Sequence, residues 1–211
     1  MGKLNNLGSF TGKVGEMVAY EVHGKTYIKQ KPVRKAPLTE GERKQVNIFT
    51  MVQKWVNPIS SFLRLGYHNV VPNLHALNAA KSAIHKTAVN REGEPHIVPE
   101  LVKVSAGSLA LSEDLDAILV GDRELNFLWD DSASSRKNPR DRIIMLAYNP
   151  DTESAFMDTS GFPRSAGYGI LNLGATAAGT YHLYAAFIAE DQRSQSDSAY
   201  LGTVAVDPLP Q

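Results

Sequence analysis

The sequence has no cysteine among its 211 residues. Disulfides, thiolate metal sites and a cysteine nucleophile are therefore excluded by composition alone. No apolar run approaches the roughly 18 residues that a membrane-spanning helix needs. The opening stretch MGKLNNLGSFTGKVG has no apolar core of signal-peptide length. The expectation is a protein that is cytoplasmic as synthesised, and one that reaches the outside only by lysis or a dedicated secretion system. Aromatic residues are few, at 8%, and the formal net charge is zero. What is present is an apolar fraction of 43% against 21% charged residues, enough to build a core and too apolar for wholesale disorder. The length suits one large domain or two small ones.

The zero net charge conceals a division. Residues 1–97 carry 14 Lys/Arg against 6 Asp/Glu, and residues 98–211 carry 8 against 16. Charges of +8 and −8 meeting near the midpoint predict two units with opposite fields, at 1–97 and 98–211.

The first unit opens on GKVGEMVAYEVHGKTYIKQKP. Val14, Glu16, Val18, Tyr20 and Val22 alternate with Gly15, Met17, Ala19 and Glu21, the period of a strand. His23-Gly24 suits a two-residue turn, because both tolerate positive φ better than most residues. A return strand Lys25–Lys31 then ends at Pro32. A lone hairpin is marginal in water, so this one must lie on something. Thr39 and Glu42 form a capping box. Val46, Phe49, Val52 or Gln53, Val56, Ile59 and Leu63 follow at helical spacing, with a kink or break expected near Asn57 because Pro58 cannot continue the helix. Gly66 reads as a stop. A second helix is expected from about Asn73 to Val89, with Leu74, Leu77, Ala80, Ile84 and Ala88 on one stripe. NREGEPHIVPE, with its glycine and two prolines, reads as the linker.

From Leu101 onward the texture is short strands between Gly, Asp and Pro. Seven candidates fall at 101–105, 107–112, 124–130, 142–149, 168–173, 180–188 and 198–206, the spacing of a Greek-key sandwich. Trp129 stands where such a core wants a large ring. TYHLYAAFIAED is apolar on both alternating faces, the mark of a central strand.

The strand count, LNFLWDD, YHLYAAF and the closing SQSDSAYLGTVAV give the second unit a resemblance to fibronectin-type-III and immunoglobulin-like domains. Over most of residues 7–206 the chain also resembles an uncharacterised bacterial family, mostly from Bacteroidota. Its members share the GKVG-type hairpin, a helical middle and a C-terminal block of the form VSAG…FLWDD…DRIIMLAYNP…YHLYAAF…SDSAYLG. The hairpin is the most specific part. The resemblance implies an α+β architecture, with an N-terminal β-hairpin and two helices before a seven-stranded sandwich. It implies no reaction.

Chemical motifs are sparse. The histidines at 23, 68, 75, 85, 96 and 182 form no His-x-x-x-His pair and no cluster of metal spacing, so neither a metal nor a cofactor is expected. The acids Glu113, Asp114 and Asp116, and Asp130 with Asp131, could flank a sugar or hold a cation, but Asp is also the ordinary residue of sandwich loops. There is no G-x-S-x-G elbow and no Walker lysine motif. Gly167 and Gly169 stand before a strand, where a dinucleotide fingerprint needs a helix. The strongest signal is basic. Lys25, Lys29, Lys31, Arg34 and Lys35 fall within eleven residues, Lys13 lies on the other strand, and Tyr20 and Tyr27 interleave. Lysine can blunt the edges of a small sheet, and the same lysines and tyrosines could neutralise phosphates and stack on bases. The expectation is a non-enzymatic structural protein that associates head-to-tail with itself, basic hairpin to acidic sandwich. Nucleic-acid binding by the hairpin is the alternative. A carbohydrate module using Trp129, Tyr168 and the acidic loops comes last.

Overall fold

The computed structural model describes residues 3–4, 10–22, 24–32, 36–68, 70, 75–130 and 138–208. The chain divides into two compact units, Met1–Arg43 and Lys44–Gln211. It is an α+β protein with three α-helices and several antiparallel sheets.

The first unit is an antiparallel meander, β1 (Lys3–Leu4), β2 (Phe10–Val14), β3 (Met17–Val22) and β4 (Lys25–Gln30), in that spatial order. Alternation from Val14 to Val22 predicts one strand, but the chain reverses at Gly15-Glu16. Gly15 has φ +58° at the first central position of a two-residue turn, a conformation open to glycine at no steric cost. Val14 therefore pairs with Met17 and shares its face, instead of the face of Val18 and Tyr20. The second turn falls where the sequence places it. Val22 pairs with Lys25 and Gly24 has φ +75°, while His23 lies outside the described residues.

Next come α1 (Glu40–Val56), α2 (Ser60–Gly66) and α3 (Ala76–Thr87). The capping box forms in full: Thr39 N–H donates to Glu42 Oε2 at 2.9 Å and Glu42 N–H to Thr39 Oγ1 at 3.3 Å. The expected break at Pro58 separates α1 from α2. The apolar stripe of α1 is rotated from the expected one. Ile48, Val52, Trp55 and Val56 are buried, whereas Val46 and Phe49 are exposed. Two overlapping stripes compete on this helix, and the one containing Trp55 removes more apolar surface from water. Gly66 is the last residue of α2, but the next residue stays at negative φ. Its role is close approach: a Cβ there would stand 2.3 Å from the Val104 carbonyl oxygen. The expected start of α3 at Asn73 and Leu74 lies outside the described residues.

The stretch read as a linker is a small hairpin, β5 (Val89–Asn90) with β6 (His96–Ile97), turning around Gly93 at φ +68°. Beyond it lie seven longer strands: β7 (Glu113–Val120), β8 (Glu124–Asp130), β9 (Arg142–Asn149), β10 (Ser154–Asp158), β11 (Tyr168–Asn172), β12 (Gly179–Ile188) and β13 (Ala199–Val206). One sheet runs β10-β9-β12-β13 and the other β11-β8-β7. The expected strands at 101–105 and 107–112 are not strands. Pro99–Leu101 is a 3-10 turn, and Ser108 and Leu109 make only isolated bridges to Ser196. The strands β7 and β10 were not expected. The acidic opening of β7 and the brevity of β10 hide their alternation.

The layering explains the apolar central strands. From β9, Ile143, Met145 and Ala147 face the three-stranded sheet, as do Leu183, Ala185 and Phe187 from β12. Their neighbours Ile144, Leu146, Tyr148, Tyr184, Ala186 and Ile188 pack against Val56, Phe62, Leu63 and Ile84 of the helices. The four-stranded sheet is thus a wall buried on both sides. For this reason the boundary expected at 97/98 does not fall where the chain divides: the helices share a core with β9 and β12.

One buried cation fastens the interior. Arg164 is 0% exposed, and its Nη1 and Nη2 donate to Ser112 Oγ and the Ala110 carbonyl, both at 2.7 Å. Its Nε lies 3.6 Å from Asp141 Oδ2, and its guanidinium carbon stands 3.8 Å from the centre of the Phe187 ring.

Candidate functional site

Strand registry decides which of the basic residues act together. Opposed residues of an antiparallel pair project to the same side, and alternate residues to opposite sides. Lys13 pairs with Val18 and Val18 with Lys29, Tyr20 pairs with Tyr27, and Val22 with Lys25. Lys31 continues the alternation of β4, and its N–H donates to the Glu16 carbonyl at 2.6 Å. Lys13, Tyr20, Lys25, Tyr27, Lys29 and Lys31 therefore share one face of the meander. Arg34 and Lys35 lie outside the described residues.

Contacts within this face fix the aromatic pair. Tyr20 and Tyr27 stack with centroids 5.7 Å apart and planes at 21°, and Lys29 Nζ sits 5.0 Å from the Tyr20 ring centre. Such cation–π contacts hold an ammonium where its charge stays available to solvent. Among the described residues no carboxylate forms an ion pair with Lys13, Lys25, Lys29 or Lys31. The turn residue Glu16 instead accepts a hydrogen bond at 3.4 Å from Gln30, whose partner Met17 belongs to the opposite face. The face reads as a flat field of four ammonium groups around a stacked pair of phenols.

The opposite face has a different character. Val14, Met17 and Ile28 are 54%, 55% and 57% exposed, and Ala19 between them is 2% exposed. Sequence alternation grouped Val14 with the basic side and so hid this apolar patch. The missed signal is Gly15 itself, which can turn the chain two residues earlier than the strand pattern suggests. On the outer edge β4 pairs only with β3, leaving one side of its backbone without a strand partner among the described residues.

The remaining candidates do not converge. Trp129 is 6% exposed, donates its Nε1–H to the Arg164 carbonyl at 2.7 Å and meets Phe187 edge-on, so it cannot serve as a sugar platform. Tyr168 is exposed on β11, beside Phe162. Glu113 pairs opposite Asp130 across β7 and β8, Asp114 sits at φ +47° in a bulge, and Asp116 accepts the Ala117 N–H at 2.8 Å. Asp131 is outside the described residues. Among the described residues no three of His, Cys, Asp and Glu gather to hold a metal ion. His75 and His85 approach Arg64 and Arg91, and His182 Nδ1 is 3.0 Å from the Tyr200 hydroxyl. Burial pushes the His182 imidazole below its ordinary range, against the pull of Glu100 and Asp151. Asp197 is held below the ordinary carboxylate range: burial opposes ionisation, but Lys103 and the Gly107 N–H outweigh it. That carboxylate ties the segment between β6 and β7 to the approach to β13. Among the described residues no helix is long and apolar enough to cross a membrane.

No curated protein matches the chain. A family profile matches residues 9–202, from the meander to the last strand, and this protein belongs to that family, the family of unknown function DUF6266.

Proposed function

We propose that the protein is a non-enzymatic structural component that associates with further copies of itself, contributing to a filament, ring or particle. The observation that carries this reading is the two-faced meander. A small sheet with lysines and tyrosines on one exposed side and Val14, Met17 and Ile28 on the other gains by being covered. The outer edge of β4, which has no strand partner among the described residues, adds a route for strand addition. The 1–43 unit carries 8 Lys/Arg against 4 Asp/Glu and the 44–211 unit 14 against 18, so copies meeting head-to-tail bring opposite charges together. Three strands ordered β7-β8-β11 against four ordered β10-β9-β12-β13 support an immunoglobulin- or fibronectin-type-III-like sandwich. Such modules commonly decorate fibres and surfaces, an argument from fold alone.

The test is light scattering with negative-stain imaging of the full chain across protein and salt concentrations. Species larger than a monomer at low salt, dissolving at about 1 M salt where screening shortens to roughly 3 Å, are expected. A monomer at every salt and protein concentration refutes the reading.

A second reading, nucleic-acid binding, is favoured by four lysines and two tyrosines sharing one face. It predicts a gel shift of single- or double-stranded oligonucleotides that weakens steeply with salt. Against it, Tyr20 is already engaged by Tyr27 and Lys29, so a base must displace one of them to stack.

A further inference from the structure

The surface that receives the basic face can be named. Among the described residues, no other sheet or helix pairs with the outer side of the three-stranded sheet β11-β8-β7. Registry places Asp116, Leu128 and Tyr168 in one cross-strand row, and Ile118, Asn126 and Ile170 in the next. Val120, Glu124 and Asn172 form the third. Core-facing Leu125 and Phe127 alternate with them and are buried, so these rows point away from the sandwich interior. Ile118, Val120, Leu128 and Tyr168 are 41–49% exposed. The face therefore mixes apolar Ile118, Val120, Leu128, Tyr168 and Ile170 with the Asn126 amide at its middle and carboxylates at Asp116 and Glu124.

The basic face of the meander has the converse pattern on the same scaffold. Its apolar residues are Val18, Tyr20, Val22 and Tyr27, and its charges are ammonium groups. Both are three-stranded antiparallel patches, so sheet can lie on sheet at the roughly 10 Å spacing of a sandwich. The geometry points to the outer β11-β8-β7 face as the docking site for the basic meander face of a second copy. Lysines meet Asp116 and Glu124 around a contact of Tyr20 and Tyr27 with Ile118 and Leu128. The pairing is heterologous, since the two patches differ, so each copy offers both halves and the chain of contacts continues. This inference rests on the self-association proposed above and specifies its surfaces.

Size sets the strength. Three strands about 4.8 Å apart and five residues at about 3.3 Å each make a face of roughly 240 Å². That is well below the roughly 800 Å² per partner of a stable specific complex. A single contact of this kind is weak and salt-sensitive, and it becomes persistent only where many copies are concentrated or aligned.

A charge exchange in the full-length chain tests it. Asp116→Lys with Glu124→Lys makes the receiving face basic, and Lys25→Glu with Lys29→Glu makes the meander face acidic. All four positions are on the surface, and circular dichroism and melting check that each variant folds. At low salt and high protein concentration each variant alone is expected to lose association by about tenfold or more. An equimolar mixture is expected to regain it, because each variant then meets its complement. Rescue in the mixture cannot come from misfolding. If the wild type associates and the Asp116/Glu124 variant associates equally well, this docking site is wrong while self-association stands. If the wild type is a monomer throughout, both fall. If Lys25→Glu with Lys29→Glu abolishes oligonucleotide binding while wild-type association ignores Asp116 and Glu124, the basic face serves nucleic acid and the inference is overturned.

Discussion

Replacing Arg164 by methionine removes a buried cation whose Nε lies 3.6 Å from the Asp141 carboxylate. Methionine keeps much of the apolar stem, so packing is largely preserved. Lost are two hydrogen bonds of 2.7 Å, to Ser112 and to the Ala110 carbonyl, and the cation against Phe187. The carboxylate of Asp141 remains, 1% exposed. A pair in this position contributes little compared with a well-packed apolar substitute, because desolvating both ions offsets their attraction. Breaking it is costly, since a buried carboxylate loses the cation beside it, at about 3–5 kcal/mol. In a unit of this size that corresponds to a fall in Tm of roughly 6–20 °C. Arg164→Met with Asp141→Leu removes both buried ions and should recover at least half of the loss. The assay is guanidinium denaturation of all four chains of the cycle, followed by the fluorescence of buried Trp129 and Trp55. A loss under about 1 kcal/mol for Arg164→Met, or a double variant as unstable as the two single losses added together, would show that the pair is not what holds this corner.

Gly161 has φ +38° and a Cβ there would overlap the Ile143 carbonyl oxygen at 1.6 Å, so Gly161→Ala should cost about 2–5 kcal/mol in chemical denaturation. Wild-type stability would contradict the close approach of the two backbones. Tyr148 is buried and its hydroxyl has no hydrogen-bond partner among the described residues, while burial, with Glu153 adding, pushes its pKa up to about 12. Tyr148→Phe should therefore be neutral or stabilising by about 1 kcal/mol, and a loss above that would reveal a partner for the hydroxyl. The His182 imidazole titrates below its unfolded value, so the stability it contributes is present above the unfolded pKa and lost as pH falls through the folded one. NMR titration should place His182 below 6.5, and His182→Gln should flatten the pH dependence of stability on the acid side of that value; an upward-shifted His182 would reverse the sign.

Local chemistry was legible in the sequence wherever it was self-contained. Thr39 and Glu42 specify a cap from three-residue spacing alone, Pro58 ends α1, and the two-sided apolar pattern of β12 announces a strand buried on both faces. What covered those faces was not legible, because periodicity records that a side is apolar without recording its neighbour. The helices and the second sheet looked equally eligible. Val46 and Phe49 show the same limit within one helix, where two stripes satisfied the pattern and only Trp55 against Tyr148 decided between them. At the candidate site the residue types were legible and their grouping was partly so. Lys13, Tyr20, Lys25, Tyr27, Lys29 and Lys31 stand out by residue type alone, and registry gathers them on one face. The turn at Gly15 then moved Val14 across the sheet and created an apolar face that alternation had divided. The outer face of β7 and β8 was hidden because Asp116, read as a loop acid, is the first outward residue after a bulge.

The doubly buried wall also determines how the chain can be cut. A fragment beginning at residue 98 keeps every strand of both large sheets, yet it bares Ile144, Leu146, Tyr148, Tyr184, Ala186 and Ile188 to water along two adjacent strands. Such a surface favours precipitation over folding. A fragment beginning at Leu38 keeps the Thr39–Glu42 cap of α1 and carries the helical cover with it, and no described residue before Val52 contributes to either buried cluster. Residues 38–211 therefore make the better piece to express, because they keep the cap of α1 and the cover of the wall together.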